Sequence, residues 1–113
     1  MAQNTSTNPA LLYENITQNP TVANPTTAYT VGASDNVVIA GANSIGITLA
    51  ATSNSPVTVT CVDDIATTAR SGVTIIANGM TYTLGTTGCT AYCIRRGAAS
   101  ANKWVVIGSQ TAS

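Results

Sequence analysis

Twelve residues, Val73 to Leu84 (Val-Thr-Ile-Ile-Ala-Asn-Gly-Met-Thr-Tyr-Thr-Leu), leave this chain few options. Asn78-Gly79 sits between two alternating runs and predicts a β-hairpin, because a two-residue type I′ turn needs positive φ at both central positions. Pairing across that turn sets Ala77 opposite Met80, Ile75 opposite Tyr82 and Val73 opposite Leu84. Side chains alternate along a strand, so all six share one face. The other face carries Thr74, Thr81 and Thr83, with Ile76 as its one apolar member. The ribbon is half-buried and antiparallel, and the rest of the chain repeats its grammar.

Tyr29 to Val31 reads as a short strand, and Asn36 to Ala40 as another after the Ala33-Ser34-Asp35 turn. Gly41-Ala42-Asn43 then turns the chain into Ser44 to Leu49, where Ile45, Ile47 and Leu49 share a face. Pro56 opens a strand at its first position, where a missing N–H is tolerated. Val57, Val59 and Cys61 line that strand's inner face. Residues 62–71 form the longest break. Beyond the hairpin and the Gly85-Thr86-Thr87-Gly88 turn, Cys89 to Arg95 alternates Cys89, Ala91 and Cys93 against Thr90, Tyr92 and Ile94. Lys103 to Gly108 places Trp104 and Val106 on one face, Val105 and Ile107 on the other, and residues 109–113 read as frayed. Such spacing predicts an all-β fold: an antiparallel β-sandwich, jelly-roll-like or β-prism domain of about seven to eight short strands.

Residues 1–28 differ, and they are expected to form an extended N-terminal arm ahead of a β-domain over 29–113. Asn-Pro occurs at Asn8-Pro9, Asn19-Pro20 and Asn24-Pro25, which prevents a long helix or a central strand. Pro9 fits the first position of a short helical turn capped by Asn8. Leu11, Leu12, Tyr13 and Ile16 are the arm's apolar anchors. A tail without order is the plain alternative; the anchors favour an arm that orders against a partner.

Charge limits the partners. Charged residues make up 7 % of the 113 and the net charge is zero, against about 25 % charged in an average soluble domain. No basic field for nucleic acid and no polybasic membrane signal exists. The opening Met-Ala-Gln-Asn lacks the features of a signal peptide, and no apolar run reaches the roughly 20 residues of a membrane helix. Cys61, Cys89 and Cys93 are an odd set without a secretory signal, which favours a reducing compartment over a disulfide framework. So weakly charged a surface is poorly defended against association, which suggests that partners cover much of it.

Catalytic constellations are absent from the sequence. It holds no histidine, the commonest general base. Asp63-Asp64 lacks the spaced ligands of a calcium loop and reads as a solvated turn. Cys89 and Cys93 lie four apart in a strand, about 13 Å, too far for a disulfide or one zinc ion. All three cysteines read as core packing, with buried reduced thiols. Arg95-Arg96 beside Tyr92 reads as a charged rim before it reads as a phosphate or sugar contact. The expectation is a protein that is not an enzyme and has no cofactor or metal.

The course Tyr29-Thr-Val, Ser34-Asp-Asn-Val-Val-Ile, Ile45-Gly-Ile-Thr-Leu, Pro56-Val-Thr-Val, Val73-Thr-Ile, Tyr82-Thr-Leu and Lys103-Trp-Val-Val-Ile-Gly resembles the β-domains of tailed-bacteriophage virion proteins. Those domains occur in capsid decoration (cement) proteins, head fibres and tail fibres. The closing Lys103 to Gly108, a loop followed by a Trp strand, is the most specific part of the match. The resemblance implies a virion structural protein on the capsid surface, assembled in the host cytoplasm, often trimeric, with an N-terminal segment that docks on the particle. Long fibre repeats are missing, which favours a decoration protein that binds the major capsid protein and stabilises contacts between its subunits. A receptor- or carbohydrate-binding fibre domain using Tyr82, Tyr92 or Trp104 is the alternative. Strands apolar on both faces, Val37 to Ile39 and Val105 to Ile107, suggest the interface of a closed homo-oligomer, with Val38 and Val106 as its candidate residues, and the resemblance implies that this oligomer is a homotrimer.

Overall fold

A computed structural model describes residues 21–62, 69–85, 90–108 and, as backbone, 110–112. Within them the protein is all-β. Ten short strands follow in order: β1 (Val22–Ala23), β2 (Tyr29–Thr30), β3 (Val37–Ile39), β4 (Gly46–Thr48), β5 (Val57–Thr60), β6 (Thr74–Ala77), β7 (Met80–Leu84), β8 (Thr90–Arg95), β9 (Trp104–Gly108) and β10 (Gln110–Ala112). They form two five-stranded sheets, ordered β1-β3-β5-β8-β9 and β10-β7-β6-β4-β2.

Both sheets are mixed, which corrects the expectation of an antiparallel fold. From β1 to β6 the chain alternates between the sheets, and each strand lies parallel to the one two places before it. Only from β6 onward does it double back, in the β6–β7 and β8–β9 hairpins and in the β5–β8 and β7–β10 pairs. The first half is thus a wound chain of three coils, closed at one end by antiparallel strands. Alternation of apolar residues has the same period of two in either arrangement, so it names the buried face and leaves the partner strand open.

Faces follow the alternation closely. Val57, Val59 and Cys61 on β5 and its exit, Ile45, Ile47 and Leu49 around β4, and Ala91 and Cys93 on β8 all point into one shared core. Burying each larger aliphatic side chain contributes on the order of 1.5–3 kcal/mol. The Asn78-Gly79 turn has φ of 59° and 67°, and the register is Ala77↔Met80 and Ile75↔Tyr82, as expected. Ile76 points outward and is exposed.

Two boundaries differ from expectation. Val22–Ala23, expected within the arm, pairs in parallel with Val37–Val38 and is the edge of its sheet. Residues 110–112, expected to fray, return antiparallel to β7 as an edge strand.

Polar groups lock the loops at one end of the core. Asp35 is buried and accepts from the Tyr29 hydroxyl and, at 2.7 Å, from the Gly32 N–H. Hydrogen bonding to that carboxylate pushes the Tyr29 phenol above its ordinary value. The buried Ser53 hydroxyl donates to Val31 O at 2.6 Å and accepts from the Ala50 N–H at 2.8 Å.

Candidate interaction surface

With the cores of both sheets turned inward, their outer faces remain. On the β1-β3-β5-β8-β9 sheet, register places Val22, Val37, Thr58, Tyr92 and Ile107 in one row across all five strands. Neighbouring strands stand about 4.8 Å apart, so the row runs about 19 Å. Ile39, Thr60 and Thr90 form a row on one side of it, and Ile94 and Val105 a pair on the other. Val22 is 49 %, Tyr92 43 %, Val105 42 % and Ile107 54 % exposed. None of these outward strand positions is charged. Arg96 and Lys103, joined by the Arg96 N–H to Lys103 O bond at 2.6 Å, are exposed at one end of the face.

The other sheet presents a different chemistry. Thr30, Thr48, Ile76 and Thr81 form its outward row, with Thr74 and Thr83 beside it. Its exterior is mostly threonine, which satisfies water through its hydroxyls. The first sheet's outer face carries threonine at Thr58, Thr60 and Thr90 and is otherwise valine, isoleucine and tyrosine, and a largely apolar outer face of this kind marks an interaction site.

Sequence-derived candidates distribute unevenly over this geometry. Val38 is fully buried in the core and is no surface residue, while Val106 is half-buried and packs against the core. The outward residues of those two strands are Val37, Ile39, Val105 and Ile107. The two-faced pattern was legible, but which face turned inward was not; Trp104, the bulkiest side chain of β9, takes the core together with its neighbour-but-one Val106. Leu11, Leu12, Tyr13 and Ile16 lie outside the described residues, as do Asp63, Asp64 and Cys89.

The arginines separate. Arg95 turns inward, donates through Nη1 to Ala51 O at 3.0 Å and Ser53 O at 2.7 Å, and stands 5.5 Å over the Trp104 ring. It braces the fold and is not paired with Tyr92 for ligand contact. Of the three aromatics proposed for a sugar site, Trp104 is buried, the half-buried Tyr82 hydroxyl accepts from Asn78 Nδ2 at 2.8 Å, and only Tyr92 faces solvent. Cys61 and Cys93 are fully buried, and burial pushes the Cys93 thiol up to about 12. Among the described residues there is no pocket and no group of three or more His, Cys, Asp or Glu side chains placed to hold a metal ion. No protein family, curated protein or solved structure matches the chain.

Proposed function

We propose that this protein is a virion structural component, a capsid decoration protein that binds the outer shell and stabilises contacts between major capsid subunits. The observation that carries the reading is the uncharged, largely apolar row Val22–Val37–Thr58–Tyr92–Ile107. A face of that kind left to water invites association with whatever apolar surface is nearest. A lattice that offers a matching surface only when assembled is stabilised by mass action, because the protein binds the assembled form alone. The anchors Leu11, Leu12, Tyr13 and Ile16 supply the second contact, and a homotrimer is the arrangement that the virion resemblance favours.

Co-sedimentation with shells of a candidate major capsid protein is the test. The wild-type chain should pellet with shells, and the Tyr92→Lys/Ile107→Lys double variant should stay in the supernatant while remaining folded by circular dichroism. Equal pelleting of both proteins would overturn the role of this face. A receptor- or carbohydrate-binding fibre domain is the second reading, supported by the exposed Tyr92 ring. Clear glycan-array binding that Tyr92→Ala abolishes would favour it.

A further inference from the structure

β1 and β2, the first strand of each sheet, lie at the same end of the fold, and among the described residues neither has a neighbour on its outer edge. The spacing of the coils shortens toward that end. Stacked residues are twenty-one and twenty-eight apart in Val37↔Thr58 and Ile47↔Ile75, but fifteen and eighteen apart in Val22↔Val37 and Tyr29↔Ile47. Between those last two pairs the corner itself stacks at an offset of sixteen. The Gly41 N–H donates to Pro25 O at 2.8 Å, and a Cβ at Gly41 would stand 2.7 Å from Asn24 Oδ1.

Sixteen residues earlier the sequence holds a copy of the corner. Thr5-Ser-Thr-Asn-Pro-Ala-Leu-Leu-Tyr13 aligns with Thr21-Val-Ala-Asn-Pro-Thr-Thr-Ala-Tyr29. Thr5, Asn8, Pro9 and Tyr13 take the places of Thr21, Asn24, Pro25 and Tyr29. These four shape the existing coil. Thr21 O accepts from the Asn36 and Val37 N–H groups, the Asn24-Pro25 corner packs on Gly41, and Tyr29 continues the inward row through Ile47 and Ile75.

We propose that the open edges of β1 and β2 are a docking site for residues 5–13 of this chain, which lie on them as one further coil. Parallel pairing then satisfies the outer N–H and C=O groups of β1 and β2 that would otherwise template association. Tyr13 covers Tyr29 at the end of the inward row. Leu11 and Leu12 correspond to Thr27 and Ala28, both exposed at the corner, so the two leucines are held outward on a fixed support. One bond of the corner is not repeated, because Pro25 has no N–H to give to Pro9 O; strand pairing on either side holds the coil there.

A full-length chain carrying Ser6→Cys and Val22→Cys tests the register. Val22 is an exposed, outward residue, so the change leaves the core intact, and the two thiols would stand side by side. After mild oxidation, cleavage at Glu14, the chain's single glutamate, should leave two fragments joined until reductant is added, on a protein that runs at the mass of one chain in a denaturing, non-reducing gel. The Thr7→Cys/Val22→Cys chain is the control: a one-residue slip turns a side chain to the other face, so linkage should fall about tenfold. Equal linkage of both pairs means a loose tail, linkage between two chains means exchange with a second copy, and no linkage means that short, proline-flanked strands end the sheets unaided; each overturns the proposal. In the unmodified chain, backbone nuclear Overhauser contacts between residues 13 and 29 are expected, and their absence overturns it as well.

Discussion

Asn78 holds the main chain of Trp104 with both ends of its carboxamide: Nδ2 donates to Trp104 O at 2.7 Å and Oδ1 accepts from Trp104 N–H at 2.8 Å. Asn78 stands in the β6–β7 turn of one sheet, and Trp104 opens β9 in the other. A residue suited to the turn by its tolerance of positive φ therefore also fastens the two sheets together at one end.

Two variants separate those roles. Asn78→Gly keeps the turn geometry and loses both bonds to Trp104, so it should cost about 1–3 kcal/mol. Asn78→Ala loses the bonds and also strains a φ of 59°, adding about 1 kcal/mol more. Urea unfolding midpoints at constant slope would measure both. Equal losses for the two variants would mean that the turn conformation carries no cost of its own.

Lysine scanning should divide β3 from the exposed face. Val38→Lys places a charge in the core, where Val38 has no exposure, and should cost several kcal/mol, enough to unfold a marginal domain. Ile107→Lys and Tyr92→Lys sit on the outer face and should each change stability by about 0.5 kcal/mol or less. Thermal melts distinguish these outcomes. A large loss for Ile107→Lys would show that β9's outer face is covered within the single chain.

Alkaline pH should destabilise the protein through Cys93. Its folded value is pushed up to about 12 from an ordinary 9.0 by burial, so the folded thiol stays protonated where the unfolded thiol has ionised. The contribution is fully present below pH 9, declines through the window from 9 to about 12, and has a slope of at most about 1.4 kcal/mol per pH unit. Tyr29, also raised, acts in the same direction. Urea midpoints measured from pH 8 upward should therefore fall, and Cys93→Ala should flatten part of the fall. In native protein near neutral pH, the Cys93 thiol should resist a disulfide-exchange reagent until denaturant is added.

Gly41→Ala should loosen the corner between β1 and β2. The added Cβ would meet Asn24 Oδ1 at 2.7 Å and Pro25 O at 2.9 Å, both closer than real Cβ contacts allow, so the corner must shift. Overpacking of this kind costs about 1–3 kcal/mol. Hydrogen exchange should quicken at the Gly41 and Val37 neighbourhood before it quickens in the β6–β7 hairpin. Uniform quickening would mean that the corner is not a separate unit.

What the sequence disclosed was local. The Asn78-Gly79 turn needs only its own backbone geometry, and it formed with the expected register. Val57, Val59 and Cys61 declared a buried face through their alternation alone. Partner choice is different, since Val37 pairs with Val22 and Thr58 across fifteen and twenty-one residues, and nothing in either segment encodes parallel against antiparallel. The interaction face was half legible. Val105 and Ile107 stood out as apolar opposite Trp104, but their alignment with Tyr92 and Ile94 exists only once β8 and β9 pair. Inward-turned Arg95 could not be read from the chain, because its acceptors, Ala51 O and Ser53 O, lie more than forty residues away.

The alternation of strands between sheets also fixes how the fold carries load. β1 and β2 lie at one end of their sheets and β9 and β10 at the other, so residues 21 and 112, in different sheets, are offset across the strands by about four strand spacings, roughly 19 Å. Tension applied through those two points acts along the interstrand hydrogen bonds, at right angles to the strands. Rungs then open in series, each two pairs wide at the β1 and β2 end, as a zipper does, instead of shearing together. An optical-trap record should show low-force, stepwise extension from that end. A molecule built this way resists compression along its stack far better than stretching, and holding it at both ends would turn its weakest mechanical axis into one that is never pulled.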